Sequence, residues 1–168
     1  NCEKYRENLL ILFLFFTISI FFSCCDTYAQ RKILNDQDAI VGASRLELYL
    51  PEIKDKNVGI VANQTSVFND THLIDTLLTY NIDIRKIFTP EHGFRGKADE
   101  GASVDNSIDE KTNIPIISLY GNNKKPTSSQ LEDIDVLLFD LQDVGTRFYT
   151  YISTMTYIME AAAENKIP

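Results

Sequence analysis

Two adjacent residues, Glu91 and His92, are the strongest candidates for chemistry in this sequence. They stand in the string Pro90-Glu91-His92-Gly93-Phe94-Arg95-Gly96, beside a glycine and a cation. A carboxylate next to an imidazole is the minimum set of groups for general acid–base catalysis near neutral pH. We therefore predict Glu91 as the principal acid–base residue and His92 as its partner. The alternative is a strand-ending turn in which Glu91 caps the next segment and His92 lies on the surface.

A second group of ionisable residues occurs in the string Asp140-Leu141-Gln142-Asp143-Val144-Gly145-Thr146-Arg147. Asp143 and Asp140 each offer a second carboxylate. Asp140 lies within an apolar run, so it is alternatively a buried acid satisfied by backbone N–H groups or by Arg147. Arg147 opens the last predicted helix, where a cation opposes the helix dipole. A ligand contact and an internal ion pair with one of these aspartates explain that placement equally well.

Amide and aromatic side chains complete the predicted binding set. Asn63 and Gln64 follow the first predicted strand and suit hydrogen bonding to a polar ligand, although asparagine is also common in turns. Gln142 has the corresponding place after the last strand. Tyr149 and Tyr151 could stack on a sugar ring or line the core, and their spacing fits both.

Short apolar runs that alternate with helical patterns must position these residues. The apolar runs cover 58–62, 82–88, 114–120 and 136–141, and helical spacing covers 72–80, 126–133 and 150–165. This alternation predicts parallel strands joined by crossover helices, and so an open α/β sheet. Residues 93–113 lack a sustained period and are predicted to form a long loop. Because the carboxyl ends of parallel strands share one edge of a sheet, we expect the candidate residues to meet there.

The composition excludes several classes of protein. The 168 residues are 44% hydrophobic and 24% charged, which is typical of one globular domain. A net charge of −8 argues against a nucleic-acid partner, since phosphate binding requires clustered cations. The sequence has neither a dinucleotide-binding glycine fingerprint nor a phosphate loop, and its 2 histidines have no paired ligand spacing. We therefore expect no cofactor and no metal.

The first residues resemble an export signal. Residues 9–22 form a mostly apolar run after Lys4 and Arg6, which is short for a membrane span but suits a signal peptide; a short membrane anchor is the alternative. Cleavage before Cys24 or Cys25 would leave a lipid-modified cysteine, and a competing cut follows Ala29. We predict a leader over 1–29, a lead-in over 30–57, a folded domain over 58–168, and an extracytoplasmic location with membrane contact only through such a lipid.

Four strings taken in order resemble the NamZ family of exo-β-N-acetylmuramidases. They cover 59–65, 88–96, 117–121 and 139–151, and the resemblance extends over about residues 42–168. It implies a bacterial glycoside hydrolase that removes terminal N-acetylmuramic acid from the non-reducing end of peptidoglycan fragments. It also implies a Rossmann-like open parallel sheet with helices on both faces, truncated at Pro168 before a smaller C-terminal domain.

The resemblance assigns the role of catalytic acid to Glu91. Asp143 or Asp140 would then orient water or stabilise positive charge, unless the 2-acetamido group of the substrate acts as nucleophile. N-acetylmuramic acid carries a lactyl carboxylate, which Arg95 or Arg147 could bind through two hydrogen bonds. The alternatives are a non-catalytic muropeptide-binding lipoprotein and, more weakly, a structural envelope protein.

Overall fold

The computed structural model describes residues 40–90, 94–95 and 107–168. Chain contacts divide the protein into two units, residues 1–40 and Val41–Pro168, and the described residues from Val41 onward belong to the second. The predicted leader and the predicted acid–base pair Glu91 and His92 lie outside the described residues.

Four helices and seven strands occur in the described part of the second unit. The helices are α1 (Leu46–Ile53), α2 (Leu73–Thr79), α3 (Ser128–Leu131) and α4 (Tyr151–Asn165), and a 3₁₀ turn precedes them at Gly42–Ser44. The strands are β1 (Asn57–Ala62), β2 (Val67–Phe68), β3 (Thr71–His72), β4 (Asp83–Thr89), β5 (Ser107–Ile108), β6 (Pro115–Ser118) and β7 (Val136–Asp140).

Five strands form one sheet in the order β5-β6-β4-β1-β7, and β2 and β3 form a separate hairpin. The pairs β6–β4, β4–β1 and β1–β7 are parallel, while β5 is antiparallel to β6. The four predicted strands are therefore all present and parallel, which confirms the predicted α/β sheet. The loop predicted over 93–113 is wrong at its far end, because Ser107 and Ile108 pair with β6.

Both faces of the sheet are covered by helices. Side chains from β1 alternate between the faces, so Val58 and Ile60 pack with α1 and α2. Val61 lies on the opposite face, in a cluster with Ile158 of α4 and Leu131 of α3. Helices on both faces of a largely parallel sheet were predicted, and this arrangement leaves the carboxyl ends of the strands open for a site.

The predicted lead-in contains a helix that the sequence analysis missed. In α1, Ile53 is buried and Leu46, Tyr49 and Leu50 pack against the core of the sheet. These positions have the i, i+3, i+4, i+7 spacing of an amphipathic helix, which is the signal that identifies it. Part of the segment before residue 58 therefore folds with the sheet.

The face of α4 that is buried against the sheet differs from the face that the apolar residues of its sequence predict. Thr154, Ile158 and Ala161 are buried against the sheet. Ile152 and Met159, which belong to the apolar spacing seen in the sequence, are 59% and 62% exposed. No helix in the described residues is long and apolar enough to cross a membrane.

Candidate functional site

The carboxyl ends of β1 and β7 lie side by side, since Ala62 pairs with Asp140. The loops that follow these strands, together with the start of α4, enclose a cavity of about 470 Å³. We call it the edge cavity. Six of its lining residues carry groups suited to binding: Gln64, Thr65, Gln142, Phe148, Tyr149 and Tyr151. Four of these, namely Gln64, Gln142, Tyr149 and Tyr151, were predicted from the sequence to bind a ligand.

The edge cavity is suited to a neutral polar ring. The described part of its lining contains no charged side chain. Phe148 is 93% exposed, and Tyr149 meets Tyr151 edge-on with 5.7 Å between ring centroids. Exposed aromatic faces stack on apolar ring surfaces, while the two carboxamides supply both donors and acceptors. The cavity therefore offers binding groups for a sugar, but its described wall offers no acid.

Asn63 lies behind the wall of the edge cavity and positions it. Its side chain is fully buried; Nδ2 donates to the hydroxyl of Tyr151 at 3.0 Å. Its Oδ1 accepts from both the backbone N–H and the hydroxyl of Thr65, at 2.9 and 2.7 Å. One buried amide thus joins the end of β1 to the start of α4. Asn63 was predicted as a ligand contact, and the structure places it one layer deeper.

Ser66 and His72 extend this buried network. The hydroxyl of Ser66 accepts from the backbone N–H of Asn63 and donates to the backbone carbonyl of Asp140 at the end of β7. His72 Nδ1 accepts from the backbone N–H of Ile74, so Nε2 carries the proton that it donates to the carbonyl of Asn63 at 2.9 Å. Neither residue was predicted at the site, because single polar residues inside an apolar pattern carry no signal of their partners.

The imidazole of His72 caps α2. Burial lowers the pKa of His72 from its ordinary value. The neutral ring is also the form that this network requires, because one nitrogen accepts and the other donates. His72 is therefore a structural histidine.

Asp140 faces away from the edge cavity, toward α1. It lines a separate cavity of about 200 Å³ with Tyr49, Leu73 and Leu138. Its Oδ2 is buried and has no hydrogen-bond partner among the described residues, and burial raises the pKa of this carboxyl. Burial and the nearby carboxylate also raise the pKa of Tyr49 to about 12. The sequence left open a buried Asp140 whose carboxyl is hydrogen-bonded by backbone N–H groups or by Arg147. The structure buries the carboxyl, and Arg147 does not pair with it.

Arg95 is held by acids of the fold. Its Nε and Nη2 donate to the two oxygens of the Asp109 carboxylate at 2.7 and 2.8 Å, and Nη2 lies 3.5 Å from Asp75 of α2. The guanidinium also lies over the ring of Phe94, 4.8 Å from its centroid. Because buried Asp109 takes the Nε/Nη2 edge of the guanidinium and Asp75 also accepts from Nη2, this edge of Arg95 is committed to acids of the fold.

The remaining predicted residues, Asp143 and Arg147, are exposed and do not line the edge cavity. Asp143 Oδ1 accepts from the backbone N–H of Gly145 at 2.7 Å, which closes a turn. Gly145 has a φ of +70°, a conformation that glycine adopts at least cost. Arg147 forms no ion pair with the described residues. The internal ion pair with Asp140 or Asp143, one of the two alternatives that the sequence left open, is therefore not found among them.

A smaller cavity of about 270 Å³ lies beside the first, and we call it the lysine cavity. The two cavities share Thr150, the N-cap residue of α4. Pro90 lines the lysine cavity, and in the sequence it directly precedes Glu91. Lys124, Tyr120, Ser153 and Tyr157 are among its polar lining residues. No cluster of residues able to hold a metal ion occurs in the described ranges.

Residues 58–168 match the family model described as Exo-beta-N-acetylmuramidase NamZ, N-terminal. The chain belongs to the NamZ family. It is 50% identical over 122 residues to the Peptidoglycan beta-N-acetylmuramidase NamZ of Bacillus subtilis (strain 168), a match that covers 71% of this chain and 30% of that protein.

Two solved structures of DUF1343 family proteins from Bacteroides fragilis NCTC 9343 share the fold of this NamZ-family chain. One is 41% identical with a TM-score of 0.65, covering 76% of this chain and 32% of the other. The second is 42% identical with a TM-score of 0.64, covering 72% and 30%. The chain thus spans about a third of the length of the relatives that it matches.

Proposed function

We propose that this protein acts as an exo-β-N-acetylmuramidase, releasing terminal β-linked N-acetylmuramic acid from the non-reducing end of peptidoglycan fragments during cell-wall turnover. Its membership of the NamZ family carries the proposal. The edge cavity supports it, because aromatic rings flanked by carboxamides are suited to a sugar ring.

Glycoside hydrolysis requires an acid that protonates the leaving oxygen and a second group on the opposite face of the sugar. We propose Glu91 as the acid and His92 as its partner. Within the described lining of the edge cavity there is no carboxylate, so the acid has to come from elsewhere in the chain. Asp143 or the 2-acetamido group of the substrate supplies the second function. Asp140 is less suited to it, since its carboxyl lines the cavity toward α1.

Substrate binding in this proposal uses the residues that line the edge cavity. Tyr149 and Phe148 stack on the sugar, and Gln64 and Gln142 bind its hydroxyl and acetamido groups. The buried network behind them keeps the wall rigid, which lowers the entropic cost of binding.

We propose an extracytoplasmic location, where peptidoglycan fragments are found. The apolar run at 9–22 supports an export signal, and Cys24 or Cys25 supports attachment of a lipid.

A non-catalytic muropeptide-binding lipoprotein is the second candidate. The observation that favours it is the same uncharged lining of the edge cavity, which in the described residues supplies binding groups alone.

Hydrolysis of a chromogenic β-N-acetylmuramide by the full-length protein separates the two candidates. We expect Glu91→Gln to lose at least about a hundredfold in kcat while ligand binding is retained. Glu52→Gln is the matched control, since Glu52 is an exposed glutamate on α1. Saturable binding without turnover in the wild type would establish the binding protein, and full activity in Glu91→Gln would remove Glu91 from the mechanism.

A further inference from the structure

The described residues that line the two cavities at the carboxyl ends of the strands include one cation, which belongs to the lysine cavity. Lys124 is the only charged residue among the described residues that line either the edge cavity or the lysine cavity. It lies in the turn between β6 and α3, and the cavities meet at Thr150. A ligand bound in the edge cavity can therefore extend an acidic substituent past Thr150 toward this ammonium group.

Among the described residues, the other basic side chains near this edge of the sheet line neither cavity. Arg95 and Arg147 line neither cavity, and Nε and Nη2 of Arg95 donate to Asp109. The neighbouring Lys125 lies 2.8 Å from Glu164 and 3.4 Å from Glu160 of α4, and the hydrogen bond with Glu164 raises its pKa. Lys124 forms no ion pair with a described residue.

We infer that Lys124 binds the lactyl carboxylate of N-acetylmuramic acid and thereby selects this sugar over N-acetylglucosamine, an inference that rests on the proposed function. The two sugars differ only in the lactyl ether, and the charge of that group is the strongest feature by which a protein can distinguish them. A protein with a net charge of −8 repels an anionic ligand unless a local cation attracts it. The hydroxyls of Ser153 and Tyr157 in the same cavity can donate to the remaining carboxylate oxygen.

Direct binding to the full-length protein tests the inference. The ligands are the β-methyl glycoside of N-acetylmuramic acid and its lactyl methyl ester, which keeps the shape and removes the charge. Isothermal titration compares the wild type with Lys124→Gln, Lys124→Arg and Lys125→Gln. The last is a matched control, because it removes the same charge from the next residue.

We expect the wild type to bind the acid about tenfold more tightly than the ester, as for one charge-assisted hydrogen bond at a partly exposed site. Lys124→Gln should abolish this preference, Lys124→Arg should restore most of it, and Lys125→Gln should leave it unchanged. A preference that survives in Lys124→Gln, or a wild type without any preference, overturns the inference.

Turnover distinguishes this inference from the proposed function. If the wild type prefers the acid through Lys124 but hydrolyses no N-acetylmuramide, the carboxylate site stands and the enzymatic proposal fails. If the wild type hydrolyses the substrate, Lys124→Gln should raise KM about tenfold and leave kcat nearly unchanged, since the contact lies away from the glycosidic bond. An unchanged KM with intact turnover overturns the inference alone.

Discussion

The amide of Asn63 and the hydroxyl of Tyr151 are joined by a hydrogen bond of 3.0 Å across 88 residues of sequence. This contact ties the end of β1 to the first residue of α4, and both parts contribute to the wall of the edge cavity. Because Asn63 also holds Thr65, the geometry of the cavity depends on a residue that does not line it.

Replacing Asn63 by alanine should destabilise the protein and weaken ligand binding together. Tyr151 and Thr65 lose a buried partner, which costs about 2 kcal/mol in the free energy of unfolding. Urea denaturation and ligand titration measure the two effects. Gln64→Ala is the control, since Gln64 is exposed and should affect binding alone. Unchanged stability in Asn63→Ala would show that the network contributes nothing.

The ion pair between Arg95 and Asp109 should make stability fall in acid. The hydrogen bonds from Arg95 lower the pKa of Asp109 to about 2, whereas an aspartate in an unfolded chain has a pKa of about 4. The carboxylate therefore stabilises the fold above pH 4, and this contribution of roughly 2 kcal/mol disappears as the pH falls from 4 to 2.

Urea midpoints measured across this range, for the wild type and Asp109→Asn, test the acid effect. The variant should be less stable at pH 7 and should show a smaller loss between pH 4 and pH 2. Parallel curves for the two proteins would contradict the assignment.

Replacing Asp140 by asparagine should stabilise the protein at neutral pH. Burial raises the pKa of this carboxyl, and Oδ2 has no hydrogen-bond partner in the described part of the chain, so the charged form is disfavoured in the folded state. The cost appears as the pH rises through that raised pKa, and it vanishes below the unfolded value. We expect a gain of about 1 kcal/mol at pH 7.5 and little change at pH 3.

Thermal unfolding at both pH values measures this difference, with Glu132→Gln on the surface as control. A loss of stability at pH 7.5 would show that the Asp140 carboxylate has a partner that stabilises its charge.

Replacing Gly59 by alanine should destabilise the central strand by about 1–3 kcal/mol. A Cβ at this position would lie 2.7 Å from Cδ2 of Leu137 and 3.2 Å from the ring of Phe88. Gly42→Ala is the matched control, because nothing lies within 4 Å of the corresponding atom. Equal urea midpoints for the two variants would contradict the close approach of β1 and β7.

The strands and most of the helices were predictable because their signals are local. Val58, Ile60 and Val61 mark β1 through apolar content alone, and Thr127 with Gln130 forms the capping box that begins α3. The order of polar segments after successive strands also predicted that Gln64, Gln142 and Tyr149 share one edge. Membership of the family followed from the strings at those same strand ends.

The tertiary structure alone decided which side chains contact one another. The sequence placed Asn63, Asp140 and Arg95 near a ligand, whereas the structure buries the first, turns the second toward Tyr49 and pairs the third with Asp109. The structure also places Lys124 in a cavity that no sequence motif indicated. Periodicity is set by neighbours a few residues away, but the partner of a polar group is set by strand order and by the face on which each residue lies. Those contacts join residues far apart in the chain, so they exist only once the sheet has formed.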